Sequence, residues 1–120
     1  MFLIGLLLLP SCSDDDPAAP DQVSPVPQVP HISYHDVTNG DLKYAVKSGT
    51  SWTLETVDAT GLVGRFTSLV LDAQGNPHIS YYDSTNGDLR YAVKSGTWWT
   101  GEIVDDTGQV GGYTSLVHGQ

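Results

Sequence analysis

His31 and His78 come closest to residues that could do chemistry. Each follows a proline at the start of an alternating apolar and polar stretch, and they lie 47 positions apart. An imidazole can shuttle a proton or hold a metal. Two histidines at equivalent places in a repeat are not expected within the few ångströms a shared zinc needs. Hydrogen bonding to a neighbouring turn is the simpler role. Asp83, Asn86 and Asp88, with their counterparts Asp36, Asn39 and Asp41, crowd oxygen atoms around a tight turn. Calcium requires six or more oxygens and a late bidentate carboxylate. Turn chemistry accounts for the segment without metal: Asp and Asn bond nearby backbone while Gly40 or Gly87 supplies the dihedral. No metal or other cofactor is expected, weak calcium binding being the alternative.

Trp52, Trp98 and Trp99 accompany six tyrosines. Such side chains stack on sugar rings or fill the space between packed sheets. Trp52 and Trp99 share one repeat position, so they read as packing residues, as Asn39, Gly40, Asn86 and Gly87 read as turn residues. Trp98 stands where the first copy has Ser51, and is the better surface candidate. With Tyr82 and His78 it forms the expected ligand-binding set. No GxSxG, HExxH or GxxxxGK pattern occurs. Glu55 and Glu102 are the only glutamates. Nothing places a leaving group between Glu102 and the nearby Asp105 and Asp106, as glycosidase chemistry would need. No catalytic residue is assigned, and the expectation is a non-catalytic chain.

These residues are positioned by a duplication. Residues 30–73 return as 77–120, with 31 of 44 positions identical. Alternation predicts strands at 31–36, 42–47 and 52–58, then at 66–71, 78–83, 88–94 and 98–104, with 113–118 repeating the opening strand of a unit. Asn39-Gly40 and Asn86-Gly87 predict type I′ hairpin turns. The organisation reads as residues 1–12 a signal or lipobox-like segment, 13–29 an acidic Pro-rich linker without order, 30–76 repeat 1, and 77–120 a truncated repeat 2.

A period in the forties built of short strands and glycine turns marks radially repeated β architecture. The pattern resembles bacterial exported β-propeller repeats. The matching residues are Tyr113-Thr114-Ser115-Leu116 and Phe66-Thr67-Ser68-Leu69, then Asp72, Gly75, Pro77-His78-Ile79-Ser80-Tyr81, Asn86-Gly87, Gly96 and Trp99. The resemblance implies an all-β chain of four-stranded antiparallel blades, two tandem 47-residue repeats forming an incomplete ring. It implies a binding or scaffolding role. Its alternatives are lectin-like binding of a glycan or surface polymer, and a supporting fragment of a larger propeller enzyme. The expected partners are further copies of the chain or the missing blades of a longer one, with a carbohydrate or protein ligand.

The formal net charge is -9, and residues 30–120 hold ten acidic side chains against five basic ones. A surface of that sign lacks the positive footprint of nucleic-acid binding. The apolar run 2–9 is too short to span a bilayer and has the length of a signal-peptide core. Leu9-Pro10-Ser11-Cys12 resembles the cleavage box of bacterial lipoproteins, with Cys12 the lipidated residue and only cysteine. The expected location is outside the cytoplasm, lipid-anchored in the envelope or secreted.

Overall fold

The computed structural model describes residues 28–119. The segment 1–12, with Cys12, and nearly all of the linker lie outside those residues. Seven strands follow one another: β1 (His31–Asp36), β2 (Asp41–Ser48), β3 (Ser51–Asp58), β4 (Val63–Leu71), β5 (Pro77–Asp83), β6 (Asp88–Ser95) and β7 (Trp98–Asp105). They form a three-stranded sheet, β1-β2-β3, and a four-stranded sheet, β4-β5-β6-β7, and every adjacent pair is antiparallel. Alternation explains the faces. Ser33 pairs with Tyr44 and Tyr44 with Glu55, so these three share one side of the first sheet. In the second sheet Ile79 pairs with Ala92 and Lys94 with Trp99, on the side opposite Ser80, Tyr91 and Glu102.

The core lies where one sheet meets the other. Leu42 and Tyr44 from β2 cluster with Val63, and with Ile79, Tyr81 and Ala92 from β5 and β6. Val46, Val57, Leu69 and Trp99 pack around them. Burying an aliphatic side chain of this size contributes about 1.5–3 kcal/mol. With a core this small, the sheet-to-sheet contact is the main source of tertiary stability. A backbone hydrogen bond registers the join: Val63 N donates to Gly40 O at 2.9 Å. Gly64 has φ +99, and a Cβ there would stand 2.7 Å from the Leu42 Cα, so β4 can cross β2 this closely only through a glycine.

Both sheets are flat and open, neither closed into a barrel nor curled. This overturns the resemblance to propeller proteins, the fold class of propeller-like blades in an incomplete ring, and the propeller label itself. All-β character stands. The periodicity that prompted the resemblance sets the strands inside one unit, whereas closure depends on the angle between units, which turn residues do not encode.

Two local expectations are corrected as well. Residues 113–118 form no strand: β4 finds its ladder partner in the following β5, and no such strand follows residue 113 among the described residues. The Asn-Gly turns are not type I′. Gly40 and Gly87 have φ +78, but Asn39 and Asn86 are not in the left-handed region. Residues 37–40 and 84–87 form four-residue loops, closed by Gly40 N to Asp36 O and Gly87 N to Asp83 O, both 2.7 Å.

Candidate functional site

Polar chemistry gathers on the face between the sheets. Glu55 lies on β3 and looks toward the second sheet because it shares a side with Tyr44. Its Oε2 accepts from Lys94 Nζ at 2.6 Å and its Oε1 from Trp99 Nε1 at 2.8 Å. Lys94 lies 5.9 Å from the Trp99 ring centre, and that ring meets Tyr44 edge-on at 5.2 Å. Burial pushes the Glu55 carboxyl up, but the bonds from Lys94 and Trp99 outweigh it and hold the group below its ordinary range. An ionised carboxylate with two charge-assisted or buried donors makes a strong tie.

Asp58 builds the second tie. Its Oδ2 accepts from the Tyr81 hydroxyl at 2.7 Å, and Arg90 Nε stands 3.9 Å away, an ion pair without a hydrogen bond. Its Oδ1 accepts from Thr60 N and Thr60 Oγ1. Burial raises Asp58, yet these bonds and the Arg90 charge bring it below its usual value. Tyr81, fully buried, is raised by that burial first and by Asp58 second, so its phenol remains protonated and donates. Thr67 Oγ1 completes the join by donating to Ser33 Oγ at 2.8 Å.

The far side of the second sheet begins the same contact again. Val110 N donates to Gly87 O at 2.9 Å, as Val63 N does to Gly40 O. Thr114 Oγ1 donates to Ser80 Oγ at 3.1 Å, as Thr67 does to Ser33. Leu116 N donates to Ser68 Oγ at 3.0 Å. Phe66 and Tyr113, 47 positions apart, both adopt the left-handed backbone, with φ 54 and 56, and their ring centres approach to 4.2 Å.

The expected ligand set does not converge. Tyr82 pairs with Leu89 near one end of β6, whereas Trp98 pairs with Ser95 at the other end, about 20 Å along the strand. Tyr82 donates its hydroxyl to Gln109 Oε1 and lies beside Phe66. Trp98 is 77% exposed. His78 stands between Asp72, at 3.0 Å from Nε2, and Tyr91, at 2.6 Å from Nδ1. A carboxylate only accepts, so Nε2 carries the proton toward Asp72, and in the neutral ring Nδ1 accepts from the phenol. Burial, then the charges of Glu102 and Asp72, raise Tyr91. This chain of groups therefore holds a protonated tyrosine against a turn. His31 repeats the tyrosine contact with Tyr44 at 2.6 Å.

The turn residues are occupied locally. Asp83 accepts from Asn86 N and Asn86 Nδ2, and its Oδ2 also takes Arg90 Nη1 at 3.4 Å. Asp36 takes the equivalent bonds from Asn39. Among the described residues no group of three or more His, Cys, Asp or Glu side chains is placed to hold a metal ion. Trp99 sits in the sheet-to-sheet face as described, while Trp52 is 43% exposed.

Sequence reasoning did not find Glu55, Asp58, Tyr81 and Lys94 as one group. A signal existed. Strand alternation puts Lys94 and Glu102 on opposite faces of one sheet, as it does Lys47 and Glu55 in the other. A repeat that is cationic on one face and anionic on the other is built to stack. Comparison with protein-family models, with curated proteins and with solved structures finds no match. The propeller-based binding or scaffolding role, the glycan-binding alternative and the propeller-enzyme alternative rested on blade geometry and fall with it.

Proposed function

We propose that the working part of this chain is its sheet face, and that its biochemical task is to stack flat β units through a charged and aromatic contact. The observation that carries the reading is the paired tie at Glu55, whose carboxylate takes Lys94 at 2.6 Å and Trp99 at 2.8 Å from the neighbouring unit. The tie is specific in geometry, since both carboxylate oxygens are used, and it borders the buried core. The groups otherwise suited to chemistry, His31, His78, Asp36 and Asp83, are engaged in holding turns and tyrosines.

A stacking face must fail when its charge is reversed. Glu55→Lys places two ammonium groups together and strands the Trp99 N–H. Removing one partner of such a pair costs about 3–5 kcal/mol when the pair is buried, and less at this partial exposure. Equilibrium unfolding followed by tryptophan fluorescence should show a large loss of stability, with the Trp99 signal moving to longer wavelength. Unchanged stability and an unchanged Trp99 environment would refute the reading.

A further inference from the structure

The contact between the two units has unused counterparts at both ends of the pair. Shifting by 47 positions, the donor residues Tyr81, Lys94 and Trp99 map onto Tyr34, Lys47 and Trp52 of the first unit. The receiving residues Tyr44, Glu55 and Asp58 map onto Tyr91, Glu102 and Asp105 of the second. These two faces point away from each other, one on each end of the stack.

Both are more open than their counterparts, although residues 110–118 already lie against part of the receiving face, as β4 lies against the first sheet. Ile79 is fully buried between the sheets, whereas Ile32, its equivalent on the outer face, is 46% exposed. Tyr81 is fully buried and Tyr34 is partly exposed; Glu55 is partly buried and Glu102 exposed. Each outer face is already set in the geometry of the filled contact. Lys47 stands 5.9 Å from the Trp52 ring centre, the distance Lys94 keeps from Trp99. Asp105 Oδ1 accepts from Thr107 N at 2.9 Å, as Asp58 Oδ1 accepts from Thr60 N. Among the described residues the side chains of Tyr34, Lys47 and Trp52 make no hydrogen bond, and Glu102 makes neither a hydrogen bond nor an ion pair. One face therefore offers a cation and an indole N–H, and the other the carboxylates that match them.

We propose that a second copy of this chain docks head to tail, its Tyr91, Glu102 and Asp105 face seated on the Tyr34, Lys47 and Trp52 face of its neighbour. The proposal rests on the stacking reading above and deepens it by naming the partner and its orientation. The occupant is a copy of this chain because its two ends complement each other in charge and in repeat position. Two different surfaces meet in such a contact, so it is heterologous and can propagate from chain to chain. Glu102 would take Lys47 and Trp52 as Glu55 takes Lys94 and Trp99, and Asp105 would take Tyr34 as Asp58 takes Tyr81.

The test uses the full 120-residue chain and two single charge reversals, Lys47→Glu and Glu102→Lys, with mass measured by light scattering over a range of concentrations. The unaltered chain should exceed the monomer mass, increasingly so with concentration and less so in high salt. Each variant alone opposes like charges across the contact and should associate at least about tenfold more weakly. An equimolar mixture should recover association, because reversed faces meet and unreversed faces meet. Recovery also shows that both variants are folded. A monomer at every concentration overturns the proposal, as does association that neither reversal weakens, which would arise at a strand edge or the apolar run 2–9. A mixture that stays as weak as the single variants overturns it too. Unfolding of the unaltered chain and of Glu55→Lys, measured in parallel, separates the two claims: a monomer whose stability still depends on Glu55 removes the head-to-tail contact and leaves the stacking reading in place.

Discussion

A double-mutant cycle on Glu55 and Lys94 measures the strength of the tie between the sheets. Glu55→Gln keeps an oxygen for Trp99 but removes the charge, Lys94→Met keeps the packed stem, and the double variant removes both partners of the 2.6 Å contact. Side-chain exposure is 26% for Glu55 and 21% for Lys94, between the surface and buried limits. Exposed pairs contribute about 0.2–1 kcal/mol, and hydrogen bonds to charged groups about 1.5–3 kcal/mol. The coupling expected here is about 1–2 kcal/mol. With an m value of about 1.5 kcal/mol/M, each single variant should lower the urea midpoint by about 1 M. The double variant should fall well short of the summed losses, because once one partner is gone the other has little left to lose. Additive losses, with coupling below about 0.3 kcal/mol, would mean the two side chains meet without holding the sheets together.

Acid should loosen the same face. Glu55 and Asp58 have folded-state values lowered from 4.5 and 3.8, so their stabilisation is fully present above those values and is lost as pH falls through the lower folded ones. Unfolding midpoints measured from pH 7 to pH 2 should decline below about pH 4.5, and Glu55→Gln should flatten part of that decline. Gly64→Ala should cost about 2–4 kcal/mol, since it combines a positive φ with a Cβ 2.7 Å from the Leu42 backbone; thermal denaturation checks this, and a loss below about 0.5 kcal/mol would mean β4 does not cross β2 this closely. Trp98→Ala should change stability by less than about 0.5 kcal/mol because its ring is 77% exposed. Trp99→Ala, which removes the bond to Glu55 and the Tyr44 contact, should cost about 3 kcal/mol or more. Equal losses from these two variants would contradict the assigned faces.

Much of the local structure is legible in the sequence. Alternation in DLKYAVKS and DLRYAVKS marks β2 and β6. The relation between units is not legible in this way. Turn glycines close hairpins whether the resulting sheets stand in a ring or lie flat, so the repeat period led to a propeller that the open sheets do not form. Residues 113–118 copy the β4 sequence but lack a ladder partner among the described residues, and strand propensity alone does not make a strand. The site was obscured for a related reason. Glu55 and Lys94 lie 39 positions apart on different sheets, and only the stacking brings them to 2.6 Å.

The most direct measurement is zero-length crosslinking of mixed isotope-labelled and unlabelled chains, with the joined peptides identified by mass spectrometry. A carbodiimide links a lysine amine to a carboxylate only where the two are in contact. A Lys94–Glu55 link should form within one chain, and a Lys47–Glu102 link should join a labelled chain to an unlabelled one. Absence of the Lys94–Glu55 link would contradict the stacking face itself, and its presence without any Lys47–Glu102 link between chains would contradict the head-to-tail contact.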